Sequence, residues 1–246
     1  MTKIKIYCRL IHKFLIFIVF IPILFYNNYS RAQTDSNRSY IYYPKEIPTW
    51  DFRYTLGFTL AYIPKTIVEE EIYYSPLADL NMRFGLPYNF SAHGRISTIG
   101  ITNHFLFGGQ WSFTTGNFSF APSYDFGYWL GVINIKGFDV VANGFINYPG
   151  FIIGVDFDDF YVSLKGEMLW ITFEETFTGE TTTGGIKREL AGGAFTYALE
   201  QPFWKNTSIA MGVKLYYTKF FYQSWVSFST FDRILIFPEF FVGFIL

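Results

Sequence analysis

Ile234-Leu235-Ile236-Phe237-Pro238-Glu239-Phe240-Phe241-Val242-Gly243-Phe244-Ile245-Leu246 ends the chain, and the fold follows from how this run alternates. Counting back from the carboxyl end, Leu246, Phe244, Val242, Phe240, Ile236 and Ile234 share one parity, while Glu239 and Gly243 fall on the other. A period of two with a carboxylate in mid-strand describes a strand with one greasy face and one that tolerates water. At the edge of a soluble sheet such a strand would recruit other chains, whereas pairing it with the first strand of a barrel removes the edge altogether. The expectation is that residues 234–246 close a barrel.

The matching first strand is Trp50-Asp51-Phe52-Arg53-Tyr54-Thr55-Leu56-Gly57-Phe58-Thr59-Leu60-Ala61-Tyr62, in which every even position is aromatic or Leu and the odd ones are small or polar. A tilted strand needs about 9 to 11 residues to cross the hydrocarbon of a bilayer, and this segment has them. The composition agrees. Of 246 residues, 50% are hydrophobic, 23% aromatic and only 16% charged, too greasy for an average soluble domain. Beyond the amino terminus no apolar run approaches the roughly 20 residues of a helical span. The net charge of −1 argues against a nucleic-acid partner, which calls for a basic excess.

The closing run resembles that of the bacterial outer-membrane β-barrel proteins, whose last strand ends in alternating aromatic and aliphatic residues. The resemblance implies an all-β, transmembrane, antiparallel up-and-down barrel in the cell outer membrane. It also implies that Phe240, Val242, Phe244 and Leu246 are read as an assembly signal by the barrel-assembly machinery, with outer-membrane lipid as the other partner.

At the amino terminus, Lys3, Lys5, Arg9 and Lys13 precede an apolar run over residues 14–26, and Ser30-Arg31-Ala32 makes a small-x-small site. This is the pattern of a signal peptide over residues 1–32, cleaved after Ala32, with a single-span anchor as the competing reading. The only cysteine, Cys8, leaves with it, so the mature chain has no thiol for a disulfide, a metal or a nucleophile. Residues 33–49 read as a polar periplasmic lead-in and 50–246 as the barrel.

Ten strands are expected, with eight as the alternative. After the first come strands at about residues 79–86, 96–107 and 118–132. The next two, 138–147 and 150–157, are joined at Tyr148-Pro149 unless they form one bent strand. Strands at about 160–170, 187–199 and 209–218 lead to the closing run. Long connections over residues 64–76, 173–185 and 222–233 belong outside, and short ones at 88–94, 134–137, 158–159 and 200–206 on the periplasmic side.

The inward parity carries Asp51, Arg53, Asp79, Arg83, Asp125, Lys165, Glu167, Lys214 and Glu239. Side chains fill much of a narrow barrel, and unpaired charges there are costly, so these residues form either a plug of salt bridges or the lining of a narrow polar pore. A surface lipid- or peptide-directed hydrolase is the alternative function. The mature chain retains only His93 and His104; neither has a serine two places on, and His104 opposite Asp125 would make a dyad without a nucleophile. No metal-ligand spacing and no phosphate-cradling loop is present, so no catalytic residue and no cofactor is assigned.

Overall fold

The computed structural model describes residues 39–64, 74–135, 138–179, 181–205, 207–227 and 233–246. The expected signal peptide and its cleavage site lie outside these residues. One antiparallel sheet contains β1 (Phe52–Tyr62), β2 (Tyr74–Gly85), β3 (Phe90–Thr98), β4 (Thr102–Trp111), β5 (Phe113–Thr115) and β6 (Phe118–Ile135), then β7 (Phe138–Asp156), β8 (Tyr161–Thr178), β9 (Thr181–Trp204), β10 (Thr207–Thr218) and β11 (Leu235–Ile245). β4 and β5 lie in line along β6, interrupted at Ser112, and act as one strand of the wall. β11 returns to β1 with Leu56 opposite Phe244 and Phe58 opposite Val242, which closes a ten-stranded barrel.

The wall faces as its alternation dictates. Phe58 is 70% exposed on the outside, whereas its neighbour Thr59 and the closing-strand Glu239 are each 1% exposed, in the lumen. Toward the end where Leu246 leaves, here the terminal end, exposed Trp50, Tyr88, Phe90, Trp111, Phe118 and Trp204 ring the outer surface. Toward the opposite, loop end, Tyr74, Trp170 and Tyr217 do the same. Between the two rings lie Leu56, Phe58, Phe105, Phe126, Phe195 and Val242. An apolar band between aromatic girdles is how a barrel meets hydrocarbon and its two interfaces.

Several expected boundaries differ. Residues 88–94 are not a connection: β3 starts at Phe90, and the expected strand 96–107 is two strands joined by a hairpin at Ile99-Gly100-Ile101. Gly100 takes φ +88°, which a side chain would resist. Residues 138–157 form one strand, the bent-strand alternative. Pro149, which has no N–H to give the ladder, sits near a register irregularity between Phe145 and Ile146. These two differences cancel in the strand count but not in orientation, and Ile135 and Phe138, where β6 ends and β7 begins, lie at the loop end rather than with the short terminal connections.

The loop expected at 173–185 is mostly strand, because its threonines extend β8 and β9 as a tall hairpin. β9 also continues through residues 200–204, expected as a turn, and β2 begins at Tyr74 inside the loop expected at 64–76. The wall is therefore uneven in height. β6 to β9 have 18, 19, 18 and 24 residues, against 9 to 12 for β1, β2 and β3.

Two segments outside the sheet turn into the barrel. Residues 39–47, expected as a polar lead-in, enter the terminal mouth, where Tyr40, Ile41, Tyr43 and Ile47 are buried. At the loop end, Phe220, Phe221, Tyr222 and Trp225 are buried too, although residues 222–233 were expected to lie outside. Both segments lack the period of two because they pair with no strand, and they bury their aromatic residues against lumen side chains instead.

Candidate functional site

Midway along the lumen, inward side chains of six strands form a belt of opposite charges. Arg95 on β3 meets Asp79 on β2 at 2.7 Å and Glu239 on β11 at 3.5 Å. Lys214 on β10 reaches Glu167 on β8 at 2.6 Å, and Lys165 bridges Glu167 at 2.7 Å and Asp125 on β6 at 2.6 Å. His93 on β3 completes the chain by pairing with Asp125 through Nε2. Thr59 and Ser97 donate further hydrogen bonds to Asp79 at 2.6 and 3.1 Å. Every charge in the belt has an opposite charge in contact, the condition under which buried ions are tolerated.

The loop-end plug sits directly on this belt. Tyr222 donates its hydroxyl to Glu239 at 3.0 Å and stacks on His104 with centroids 4.5 Å apart. Burial, reinforced by Glu239, raises the Tyr222 hydroxyl well above the ordinary tyrosine range, so it stays a neutral donor. Phe221 stacks on Phe237 at 4.6 Å, Phe220 packs on Trp129 at 5.3 Å, and Trp225 donates its indole N–H to Thr102 at 2.8 Å. Gly131 makes room for Trp225, since a Cβ there would strike the indole ring.

Residues 39–47 close the other side. The backbone N–H groups of Ile41, Tyr42 and Tyr43 donate to the Glu200 carboxylate at 2.6, 3.0 and 2.7 Å. Arg83 donates to the carbonyls of Ile41, Tyr43 and Lys45 at 3.3, 2.5 and 2.7 Å. A cavity of about 110 Å³ remains between this segment and the belt, lined by Ile41 and Tyr42 below and by Arg95, Lys165, Lys214 and Glu239 among others. That is room for several waters, at the roughly 10–15 Å³ that one needs.

Of the residues expected in the lumen network, Asp79, Asp125, Lys165, Glu167, Lys214 and Glu239 come together in the belt. Arg83 stands apart, holding the amino-terminal segment. Asp51 and Arg53 form an ion pair at 3.0 Å near the terminal rim, where Arg53 also lies 4.4 Å over the Tyr40 ring. Sequence reasoning missed Arg95, His93 and Glu200: His93 and Glu200 fell on expected connections, and Arg95 between the connection at 88–94 and the strand expected from about 96. The polar phase Ser91, His93, Arg95, Ser97 was the available signal. Phe240, Val242, Phe244 and Leu246 sit on the outward parity of β11.

The dyad of His104 with Asp125, weighed against a hydrogen-bonded wall histidine, does not occur. Asp125 is taken by His93 and Lys165, while His104 lies between Tyr222 and Tyr148. The other ring nitrogen of His93 has no hydrogen-bond partner among the described residues, so no nucleophile is joined to the pair. Among the described residues, no group of three or more His, Cys, Asp or Glu is placed to hold a metal ion, and no helix is long and apolar enough to cross a membrane.

A closed antiparallel wall that is apolar outside, girdled by aromatic residues and charged within leaves one architecture. The fold is that of an outer-membrane β-barrel. No family model matches the chain, and no curated protein does. Among solved structures it is similar to Neisserial surface protein A, at 11% identity over 79% of this chain and 96% of that one, with a TM-score of 0.39. It is also similar to an outer membrane channel from Pseudomonas putida F1, at 7% identity over 88% and 100%, TM-score 0.37. A third similar structure is the translocator domain of the autotransporter NalP from Neisseria meningitidis, at 10% identity over 79% and 86%, TM-score 0.33. Likenesses this distant say nothing of what the chain does, and the barrel stands on its own register and closure.

Proposed function

We propose that this chain is an integral outer-membrane barrel of the structural or surface-interaction type, closed at rest, rather than an open passive pore. The supporting observation is the layered blockage of the lumen: the segment 39–47, the charge belt and the aromatic plug at 220–225 follow one another along the axis. In this reading the terminal end faces the periplasm, the tall β6 to β9 wall faces outward, and the apolar band is covered by outer-membrane lipid. The test is planar-bilayer recording of the refolded chain. No steady conductance is expected, and a stable open level for the wild type would overturn the reading.

Assembly by the cellular machinery is part of the same proposal, with Phe240, Val242, Phe244 and Leu246 as the residues recognised. Replacing Phe244 and Leu246 together with Ala should lower outer-membrane insertion in cells, while the purified chain still refolds in detergent to a heat-modifiable band. The refolding half follows from the register, because the backbone pairing of Phe244 with Leu56 and Ile209 does not need the aromatic ring. Unchanged insertion in cells would remove these residues from recognition.

A further inference from the structure

The segment 39–47 is held by side chains of the wall rather than by its ladder. Among the described residues it makes no backbone pairing with the wall, and its main chain is gripped by two wall side chains, each 1% exposed. Glu200 on β9 collects three consecutive N–H groups, and Arg83 on β2 donates to three carbonyls of the same stretch. A carboxylate facing successive N–H groups and a guanidinium facing carbonyls recognise any peptide that offers its backbone in this conformation. Arg83 is fixed in place by Ser91, whose hydroxyl accepts a hydrogen bond from its Nε–H at 3.1 Å.

Side-chain selectivity comes from two slots. Tyr43 stacks on Tyr161 with centroids 4.5 Å apart and receives a hydrogen bond from Ser119 at 3.1 Å. Gly154 opens this slot, since a Cβ there would lie 2.5 Å from both the Tyr43 ring and Pro44. Ile41 packs with Ala210 and Ile245. Pro44, which has no N–H, follows the third N–H given to Glu200.

We propose that Arg83 and Glu200 form a peptide-binding site in the barrel mouth that reads the main chain and selects an aliphatic-x-Tyr-Pro pattern. Residues 39–47 fill it in cis, and a peptide of that pattern bent in the same way, so that successive N–H groups converge on Glu200, fills it in trans when the cis copy is withdrawn. The site builds on the closed-barrel reading but is tested by binding, so a conducting wild type and a failed peptide site are separate results. A tethered segment has an effective concentration on the order of millimolar, so the wild type should exclude a free competitor.

The probe is a fluorescein-labelled synthetic peptide of residues 39–48, titrated into the refolded full chain in detergent. The wild type should show no saturable binding. A chain carrying Ile41→Pro and Tyr43→Pro loses two of the three N–H groups given to Glu200; its amino-terminal segment should become cleavable by proteinase K, and it should bind one labelled peptide. Adding Glu200→Gln should weaken that binding by about tenfold, because charge-assisted hydrogen bonds become neutral ones. A peptide N-methylated at Ile41 and Tyr43 keeps its side chains but should not bind.

Absence of saturable binding to a heat-modifiable, cleavable variant would overturn the proposal. So would equal binding of the N-methylated peptide, or a segment as protected in the proline variant as in the wild type. If the proline variant does not form a heat-modifiable barrel, Glu200→Gln alone decides the matter: it preserves volume and must increase cleavage within residues 39–47, and unchanged protection defeats the site.

Discussion

Phe58→Arg should strongly impair stable assembly of the barrel, while Thr59→Ser should leave it nearly intact. Phe58 lies at the middle of β1, paired between Ala78 and Val242, with its ring turned outward into the band between the two aromatic girdles. A cation there faces hydrocarbon, at a cost of roughly 2–4 kcal/mol near the bilayer midplane. That is a large share of the net stability of about 5–15 kcal/mol usual for a folded protein. Thr59 points the other way and donates its hydroxyl to Asp79 at 2.6 Å, a bond that serine retains. The comparison is read from the fraction of each variant that resists extraction from outer membranes and from its denaturation midpoint after refolding. Equal tolerance at the two positions would mean that β1 is out of phase with the wall described above.

The second large effect is expected at Arg95. Its guanidinium lies between Asp79 and Glu239, whose side chains are 4% and 1% exposed. Arg95→Ala leaves two buried carboxylates without their common cation, and breaking a buried pair in this way costs about 3–5 kcal/mol. Adding Asp79→Ala removes one orphaned charge and should restore part of the loss, so the double variant should denature later than Arg95→Ala alone. The quantity to follow is the guanidinium midpoint of the refolded, heat-modifiable form. A wild-type midpoint for Arg95→Ala would show that solvent screens the belt, which is the behaviour of a wet pore and not of a packed lumen.

The wall was legible because a period of two needs only the outward residues to be greasy. β1, β8 and β11 meet that condition and were placed from sequence with the correct facing. β3 fails it, because its outward positions include Ala92 and Gly94, while its informative face is the polar one. The hairpin at Gly100 was hidden for a related reason. Ile96 faces out on even positions and Phe105 on odd ones, and the phase changes within three residues that are themselves partly aliphatic. Glu200 was lost because residues 200–206 were expected to be a short connection, whereas β9 runs on through them and accepts Pro202 where it meets the register irregularity near Thr207.

Neither plug could be read by periodicity. Residues 39–47 and 220–225 pair with no strand, and their hold on the barrel depends on side chains distant in sequence, such as Glu200 for Ile41 and Thr102 for Trp225. The charge belt was half legible. Parity identified which charged residues face inward, but which partner each one meets depends on shear around the barrel, and a strand missing from the reading removed Arg95 and His93 from the set.

The uneven height of the wall gives the molecule a front and a back. At 24 residues, β9 has more than twice the about 9–11 that a tilted strand spends in hydrocarbon, whereas β1 at 11 has almost none to spare. The surplus of β8 and β9 is rich in Thr, Glu and Gly, and it raises the wall above one flank only. A large neighbour in the same membrane can therefore lie flush against β1 to β3, but on the β7 to β9 flank it meets a parapet before it meets the barrel.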